Sequence, residues 1–406
     1  MSNESRKSAG FKDRTPVTAA RETLLDAVSP HERTERVPLR DADERVVARE
    51  ITAERAVPHY RRAAMDASPS GPRTRSARAA VAGIAPVDEA VTTGTAARVH
   101  TGSELPEGAD AVVMVEETEV AGDTVTVFDA VAGGENVAPV GEDVAEGQTL
   151  YEAGHRLRPS DLGLLKSVGN DTIEVYEQPT VSVIPTGEEL VQDDPAPGEV
   201  IETNGQTVTQ YVERWGGTAT YRDIVTDDVD ALRAAISDDL DHDIVVTTGG
   251  SSVGERDLLP EVVDGIGEVL VHGVALKPGH PVALGVVEET PILMLPGYPV
   301  ACIVNAVQFL RPALRQAGHL PSTAPPTTEA ELTRKIASEP GTRTYARVEL
   351  HDEGVDEQTT ATPTRASGSG VLSSVALADG WVVVPESVEG YDAGDTVTVE
   401  DWEWSQ

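Results

Sequence analysis

The sequence predicts a multidomain α/β protein centred on a doubly wound unit, and three observations predict it. Residues 181–318 alternate β-rich and helical patterns. The apolar run at 244–246 stops at Thr248-Gly249-Gly250, as a buried parallel strand ending in a sharp turn would. The flanks differ in pattern: 15–57 carries helical periodicity with charged faces, 80–160 reads as short strands broken by Gly and Pro, and 327–404 reads as a small β domain behind the linker PSTAPP at 321–326.

Within the α/β unit the elements follow in order. Residues 181–184 are β-rich, and 205–215 are helical up to Gly216-Gly217. Residues 218–225 are extended, 228–240 are amphipathic and 243–248 form the buried strand. A helix is expected near 257–263, then strands at 269–272, 282–287 and 291–295, and a closing helix at 299–316. Sheets of this kind hold ligands beyond the carboxyl ends of their strands, where Thr186-Gly187-Glu188-Glu189, Gly249-Gly250-Ser251 and Pro296-Gly297 all fall.

With 406 residues the chain can bury several cores. Thirty-two basic residues stand against 69 acidic ones, a net charge of −37, and lysine occurs only at 7, 12, 166, 277 and 335. This is the composition of a halophilic chain. In molar salt the Debye length shrinks to about 3 Å, so dense carboxylates repel little and keep the surface hydrated. A broad nucleic-acid-binding face is excluded. The single cysteine, Cys302, rules out disulfides and cysteine zinc sites within one chain, and its apolar setting makes it a small buried hydrophobe. There is neither a signal-peptide core nor an apolar run of the roughly twenty residues that a membrane span needs, so a soluble cytoplasmic protein is expected.

The loop after the buried strand, Gly249-Gly250-Ser251-Ser252-Val253-Gly254, suits an anion. Its glycines let the backbone approach a phosphate, and the serines add hydroxyl donors. Taken alone it reads equally as a tight strand-to-helix turn. Six arginines, Arg61 and Arg62 among them, crowd residues 55–80 beside one acid, Asp66; a local anion site and a solvated basic loop or inter-subunit pair both remain open. Lys277, in Leu276-Lys277-Pro278-Gly279-His280, is a long cation between a strand and a Pro-Gly turn, suited to an anionic ligand. Pro296-Gly297-Tyr298-Pro299 opens a helix with free amides facing the strand ends. Asp143, Glu188, Glu189 and Asp257 lie in or beside Gly-rich turns; acids next to a phosphate cradle make sense with a divalent metal, and Glu189 and Asp257 are its best ligands.

Taken together these segments resemble the MoeA and gephyrin E-domain family, the molybdopterin molybdenumtransferases. The likeness runs from about residue 15 to 400 through AAMD (63–66), TGSELPEGADAVVMVEET (101–118), GENV (134–137), GEDVAEGQ (141–148), RLRPSDLGLL (156–165), TGEEL (186–190), TN (203–204), TTGGSSVGERD (247–257), HGVALKPGHP (272–281), LPGYPVA (295–301) and SGSGVLSSVALADGWVVVPE (367–386). The resemblance implies a helical linker domain (15–57 plus 141–180), an inserted β lid (58–140), a molybdopterin-binding α/β domain (181–320) and a C-terminal β domain (327–404). It also implies a homodimer whose site joins the lid of one subunit to the α/β domain of the other. The implied reaction inserts molybdate, or tungstate, into molybdopterin delivered as an adenylate by an adenylyltransferase of the MogA/MoaB type, and releases AMP with Mg2+ or another divalent metal.

Carried onto this chain, the resemblance implies catalytic roles for Asp66, Asp143, Glu189, Asp257 and Lys277. Molybdopterin falls to Thr186, Gly187, Gly249, Gly250, Ser251, Ser252, Gly254, Lys277, Pro296 and Gly297. The oxyanion falls to Thr101, Arg61, Arg62 and His280, and the metal to Glu189 and Asp257. Four departures stand out: Ala67-Ser68 where the family has Gly and an aromatic, Ser251 for valine, His280 for a second lysine, and Tyr298 for asparagine. The last two remove ligand donors. An insertase is therefore the first reading, and a catalytically weakened molybdopterin-binding or scaffolding paralogue is the second. The matched lid and C-terminal segments argue against a stand-alone nucleotide-phosphate enzyme.

Overall fold

The computed structural model describes residues 14–64, 80–85 (backbone only), 90–92, 94–128, 131–249, 258–351, 359–364 and 368–404. The chain forms two compact units, one of Met1–Glu35 with Tyr176–Gln406 and the other of Arg36–Val175.

In the first unit β1 (Thr180–Pro185), β2 (Thr218–Tyr221), β3 (Ile244–Thr248), β4 (Glu268–His272), β5 (Ala283–Val287) and β6 (Thr290–Leu295) make one sheet in the order β2-β1-β3-β6-β5-β4. The first four strands run parallel. β5 is antiparallel to β6 and β4 to β5, because only two residues join β5 to β6, too few for a crossover helix. Strand alternation feeds two cores. Val181, Val183, Ile244, Val246, Leu293 and Leu295 pack on one face, and Ile184, Val245, Ile292 and Met294 on the other. Both faces are covered, which is why these strands read as unbroken apolar runs.

The helices are α1 (Asn204–Arg214), α2 (Val229–Ser237), α3 (Leu259–Ile266) and α4, a continuous run over 299–317 that contains a π-turn at Ala306–Leu310. Pro312 has no N–H to return to Gln308, and the freed Gln308 carbonyl accepts from Arg21 Nε at 3.0 Å instead. Asp228 caps α2, its Oδ1 accepting from the backbone N–H groups of Asp230 (3.1 Å) and Ala231 (2.9 Å). Asp228→Ala should therefore cost about 1 kcal/mol in urea denaturation, and an unchanged midpoint would show that the cap contributes nothing. Cys302 is 1 % exposed on α4 and burial pushes its thiol pKa up, so it packs as a small apolar side chain.

The C-terminal segment contributes five strands between Thr327 and Glu400 to a second, six-stranded sheet. Leu276 and Lys277 join that sheet, pairing in parallel with Arg343 and Thr344. The expectation of helix over 15–57 needs correction, because only Val17–Asp26 is α-helical. Thr34–Pro38 is a strand on Thr172–Tyr176, and Ile51–Thr52 pairs with Thr149–Tyr151. Those partners lie about a hundred residues or more away, so no local periodicity announces them.

The second unit holds a core around Val47, Leu157, Leu165 and Val175, the helix Pro159–Ser167, and a four-stranded sheet ordered Thr95–Ala97, Ala80–Ala85, Thr124–Val127 and Thr118–Ala121. Among the described residues no helix is long and apolar enough to cross a membrane.

Candidate functional site

Three loops leave the carboxyl ends of the adjacent strands β1, β3 and β6, and backbone bonds tie them together. Thr186 N donates to Thr248 O at 2.9 Å, and Gly249 N donates to Leu295 O at 3.0 Å. The ladder thus continues one residue past each strand. Gly249 has φ +112°, and a Cβ there would lie 2.1 Å from the carbonyl oxygen of Thr186. Only glycine fits. A Cβ on Gly297 would in turn come within 3.4 Å of Gly249 Cα, so Pro296-Gly297 lies directly against this turn. Beneath it Thr186, Thr247 and Thr248 are 0–1 % exposed, and their hydroxyls have no hydrogen-bond partner among the described residues. Buried hydroxyls without partners are costly, and these lie at the ends of β1 and β3, with the consecutive Thr247 and Thr248 on opposite faces of the sheet. Gly250, Ser251, Ser252, Gly254 and Asp257 lie outside the described residues.

The Glu189 carboxylate folds back over Gly187, where a Cβ would meet Glu189 Oε2 at 2.8 Å. Glu188 and Glu189 are both exposed. No cation pairs with Glu189 among the described residues, so its oxygens stay open to a hard metal such as Mg2+, and this half of the expected metal site fits.

Sequence reasoning missed the side wall. Glu202, 4 % exposed, accepts from Gly205 N at 2.6 Å and from the Tyr221 hydroxyl at 2.7 Å. Asn204 Nδ2 donates to Gly297 O at 2.7 Å, fixing the Pro296-Gly297 loop to the start of α1. Thr203-Asn204 was visible as a motif, but its target 93 residues away was not. Asn305, fully buried, donates from Nδ2 to Gly279 O at 3.0 Å and to Ala301 O at 2.8 Å, which locks the Lys277-Pro278-Gly279 turn onto α4.

Lys277 differs from the expectation of a cation held ready for a ligand. Its Nζ donates to Glu339 Oε1 at 3.1 Å, with the two side chains 57 % and 67 % exposed. An exposed pair of this kind contributes only about 0–1 kcal/mol, so a phosphate can displace Glu339. Burial lowers the pKa of His280, Arg14 and Lys277 lower it further, and Glu339 opposes them. At neutral pH His280 is therefore an uncharged imidazole, a hydrogen-bonding group without the lysine's charge. Tyr298 is 65 % exposed, and its ring packs against Gly370.

In the other unit one segment organises the expected residues. Leu105 N donates to Arg61 O (2.9 Å), Gly102 N to Ala63 O (2.9 Å) and Asp143 N to Val57 O (3.0 Å). The Thr101 turn is thereby brought beside Arg61 and Arg62, and Asp143 lies at the far end of the same segment. Arg61 Nη1 reaches Ala109 O at 3.3 Å. Thr101 and Asp143 are exposed. Asp66, with Ala67 and Ser68, lies outside the described residues. The Asp239, Asp241 and His242 grouping has metal-type side chains but precedes β3, at the opposite end of the sheet from the cradle. There Asp239 is occupied by Ser182 (2.6 Å) and Arg222.

Family models match three stretches: the MoeA N-terminal region (domain I and II) over 15–169, a probable molybdopterin binding domain over 182–316 and the MoeA C-terminal region (domain IV) over 329–402. The chain is 31% identical over 402 residues to the molybdopterin molybdenumtransferase of Bacillus subtilis, covering 92% of each chain. It is 30% identical over 394 residues to that of Haemophilus influenzae, covering 94% of this chain and 97% of the relative. The chain belongs to the molybdopterin molybdenumtransferase family. A crystal structure of a molybdopterin biosynthesis MoeA protein from Pyrococcus horikoshii superposes with a TM-score of 0.78 at 29% identity, covering 96% of this chain and 99% of that one. The chain is thus a member of a transferase family of molybdenum cofactor biosynthesis with the MoeA fold. For this molybdenumtransferase-family protein, Lys277→Ala should weaken molybdopterin about tenfold in a direct titration, roughly 1.4 kcal/mol, because the charge is exposed and shared with Glu339. Equal affinities would remove Lys277 from the site.

Proposed function

We propose that the protein accepts molybdopterin as its adenylate, releases AMP and places molybdate on the dithiolene sulfurs, with tungstate as an alternative oxyanion. The observation that carries this reading is the cradle at the ends of β1, β3 and β6, where a Cβ on Gly249 would strike the Thr186 carbonyl and the buried hydroxyls of Thr186, Thr247 and Thr248 have no hydrogen-bond partner among the described residues. Both the pterin phosphate and molybdate are anions that such a backbone can approach. In this reading the 249–254 loop binds the pterin phosphate, Asn204 keeps Pro296-Gly297 in place, and Lys277 with His280 contacts the anion. Glu189 and Asp257 would hold Mg2+, which when bound supplies Lewis-acid polarisation of a phosphate oxygen. Asp66, Asp143, Thr101, Arg61 and Arg62 would complete the site for the oxyanion across a cytoplasmic homodimer fed by a molybdopterin adenylyltransferase.

The second reading, a binding or scaffolding paralogue, draws on Lys277 being engaged by Glu339 and on Tyr298 standing exposed where the family has asparagine. One assay separates them. Purified protein in molar potassium chloride, given adenylated molybdopterin, molybdate and magnesium, should release AMP in step with finished cofactor, and it should sediment as a dimer. Tight molybdopterin binding with no AMP release would overturn the transferase reading in favour of the scaffold.

A further inference from the structure

Glu189 stands at the root of a ribbon that cannot hold itself in place. Leu190 and Val191 pair in parallel with Val200 and Ile201, and Val200 N donates to Glu189 O at 2.8 Å. Val200 and Ile201 are 54 % and 44 % exposed, and Leu190 and Val191 are only half-buried, so these two-residue strands have no core of their own. A pair this short is marginal by itself. At the Glu189 end Gly187 N donates to Val225 O at 3.1 Å, which ties the root of the ribbon to the chain beyond β2. The far end needs its own attachment.

Tyr221, the last residue of β2, supplies it. Gln192 follows one strand of the ribbon and Glu202 follows the other, and both meet the Tyr221 phenol: Gln192 Nε2 donates to it at 3.0 Å, and it donates to Glu202 Oε2 at 2.7 Å. Glu202 N also donates to Val191 O at 2.8 Å. Gly205 leaves room for the ring, since a Cβ there would lie 2.7 Å from Tyr221 Cε2. Glu202 is 4 % exposed and has no cationic partner among the described residues. A buried carboxylate of this kind depends on its hydrogen bonds, which come from the Tyr221 hydroxyl and from Gly205 N at the start of α1. In the same turn Asn204 is bonded to Gly297 O. Residues 202–205 therefore join the ribbon that carries Glu189 to the Pro296-Gly297 side of the cradle.

We propose that Tyr221 is a positioning residue: through Gln192 and Glu202 it holds the Glu189 ribbon in register with the cradle, and so sets how tightly Glu189 takes a divalent cation. This role rests on the reading of Glu189 as a metal ligand, to which it adds the group that orients that ligand. Tyr221 belongs to a strand of the six-stranded α/β sheet, so the anchor is rigid where the ribbon is not. Removing a partner that orients a metal ligand typically lowers metal affinity about ten- to a hundredfold.

The probe is Mn2+, whose free concentration is read by electron paramagnetic resonance as it is titrated into the full chain with molybdopterin bound. Tyr221→Phe removes both arms of the brace and should weaken Mn2+ about tenfold. It also takes a donor from buried Glu202, so a lower melting temperature is expected of it. Gln192→Ala cuts one arm at an exposed residue and leaves the bond to Glu202 intact; it should keep the parent melting temperature and still weaken Mn2+, though less. Molybdopterin affinity should be unchanged in both. Raised magnesium should restore AMP release to Tyr221→Phe, and in a Glu189→Gln background Tyr221→Phe should cause no further loss of Mn2+ affinity. Parent-like Mn2+ affinity in both brace variants, with Glu189→Gln impaired, would overturn the role of Tyr221 and leave the metal site standing. An equal loss from Tyr221→Phe with and without Glu189 would also overturn it, in favour of a general loosening of the domain. Undiminished Mn2+ binding by Glu189→Gln would overturn the reading of Glu189 itself, and the brace with it.

Discussion

Gly249→Ala should destabilise the α/β domain by roughly 3–5 kcal/mol and abolish molybdopterin binding. A φ of +112° is strained for any side chain, at about 1–3 kcal/mol. The added Cβ would also sit 2.1 Å from Thr186 O, a backbone atom that cannot swing away. Relief requires separating the loops, which breaks the bonds from Thr186 N to Thr248 O and from Gly249 N to Leu295 O and leaves buried polar groups unmatched at about 1–3 kcal/mol each. Urea unfolding and a molybdopterin titration measure the two effects. A variant within 1 kcal/mol of the parent that still binds would mean that the close approach of these loops does not form the cradle.

Glu189→Gln should lower cofactor formation at least a hundredfold, about 2.7 kcal/mol of transition-state stabilisation, while molybdopterin affinity stays within a factor of two. Glutamine keeps the shape and one oxygen but removes the charge that a divalent ion needs. Glu189 is exposed and has no cationic partner among the described residues, so the fold should not register the change. Single-turnover AMP release at saturating magnesium decides the matter. Unimpaired release would take Glu189 out of the metal site, while no release from parent or variant would favour the scaffold reading.

The α/β core was legible because its strands are covered on both faces and therefore spell apolar runs, and because Gly and Pro punctuate their ends. Gly249, Gly187 and Pro296-Gly297 were found for the same reason: backbone geometry constrains residue type locally. The antiparallel turn of β5 and β6 was not foreseen, although the two-residue gap was there to read. Residues 34–57 looked helical because a surface crowded with charge mimics an amphipathic face, while the strands that form there pair with Thr149–Tyr151 and Thr172–Tyr176. Asn305 and the target of Asn204 escaped notice because each acts on a loop distant in sequence, and Glu202 because its Tyr221 partner comes from the next strand. The partner of Lys277 escaped likewise, since Glu339 arrives from beyond the linker.

That last pairing bears on how such a chain can be divided. Leu276 and Lys277 leave the α/β sheet to pair with Arg343 and Thr344, and Val300 N at the head of α4 donates to Ser369 O at 3.0 Å. The α/β and C-terminal segments are consecutive on a map but interleaved in hydrogen bonding, so cutting at the linker would not release an intact module. It would unzip an edge strand that ends in Lys277 and free the loop that begins α4. A chain that discarded the C-terminal sheet would have to rebuild the Lys277 turn and the start of α4, which makes the sheet a structural part of the α/β domain's loop end and not an appendage.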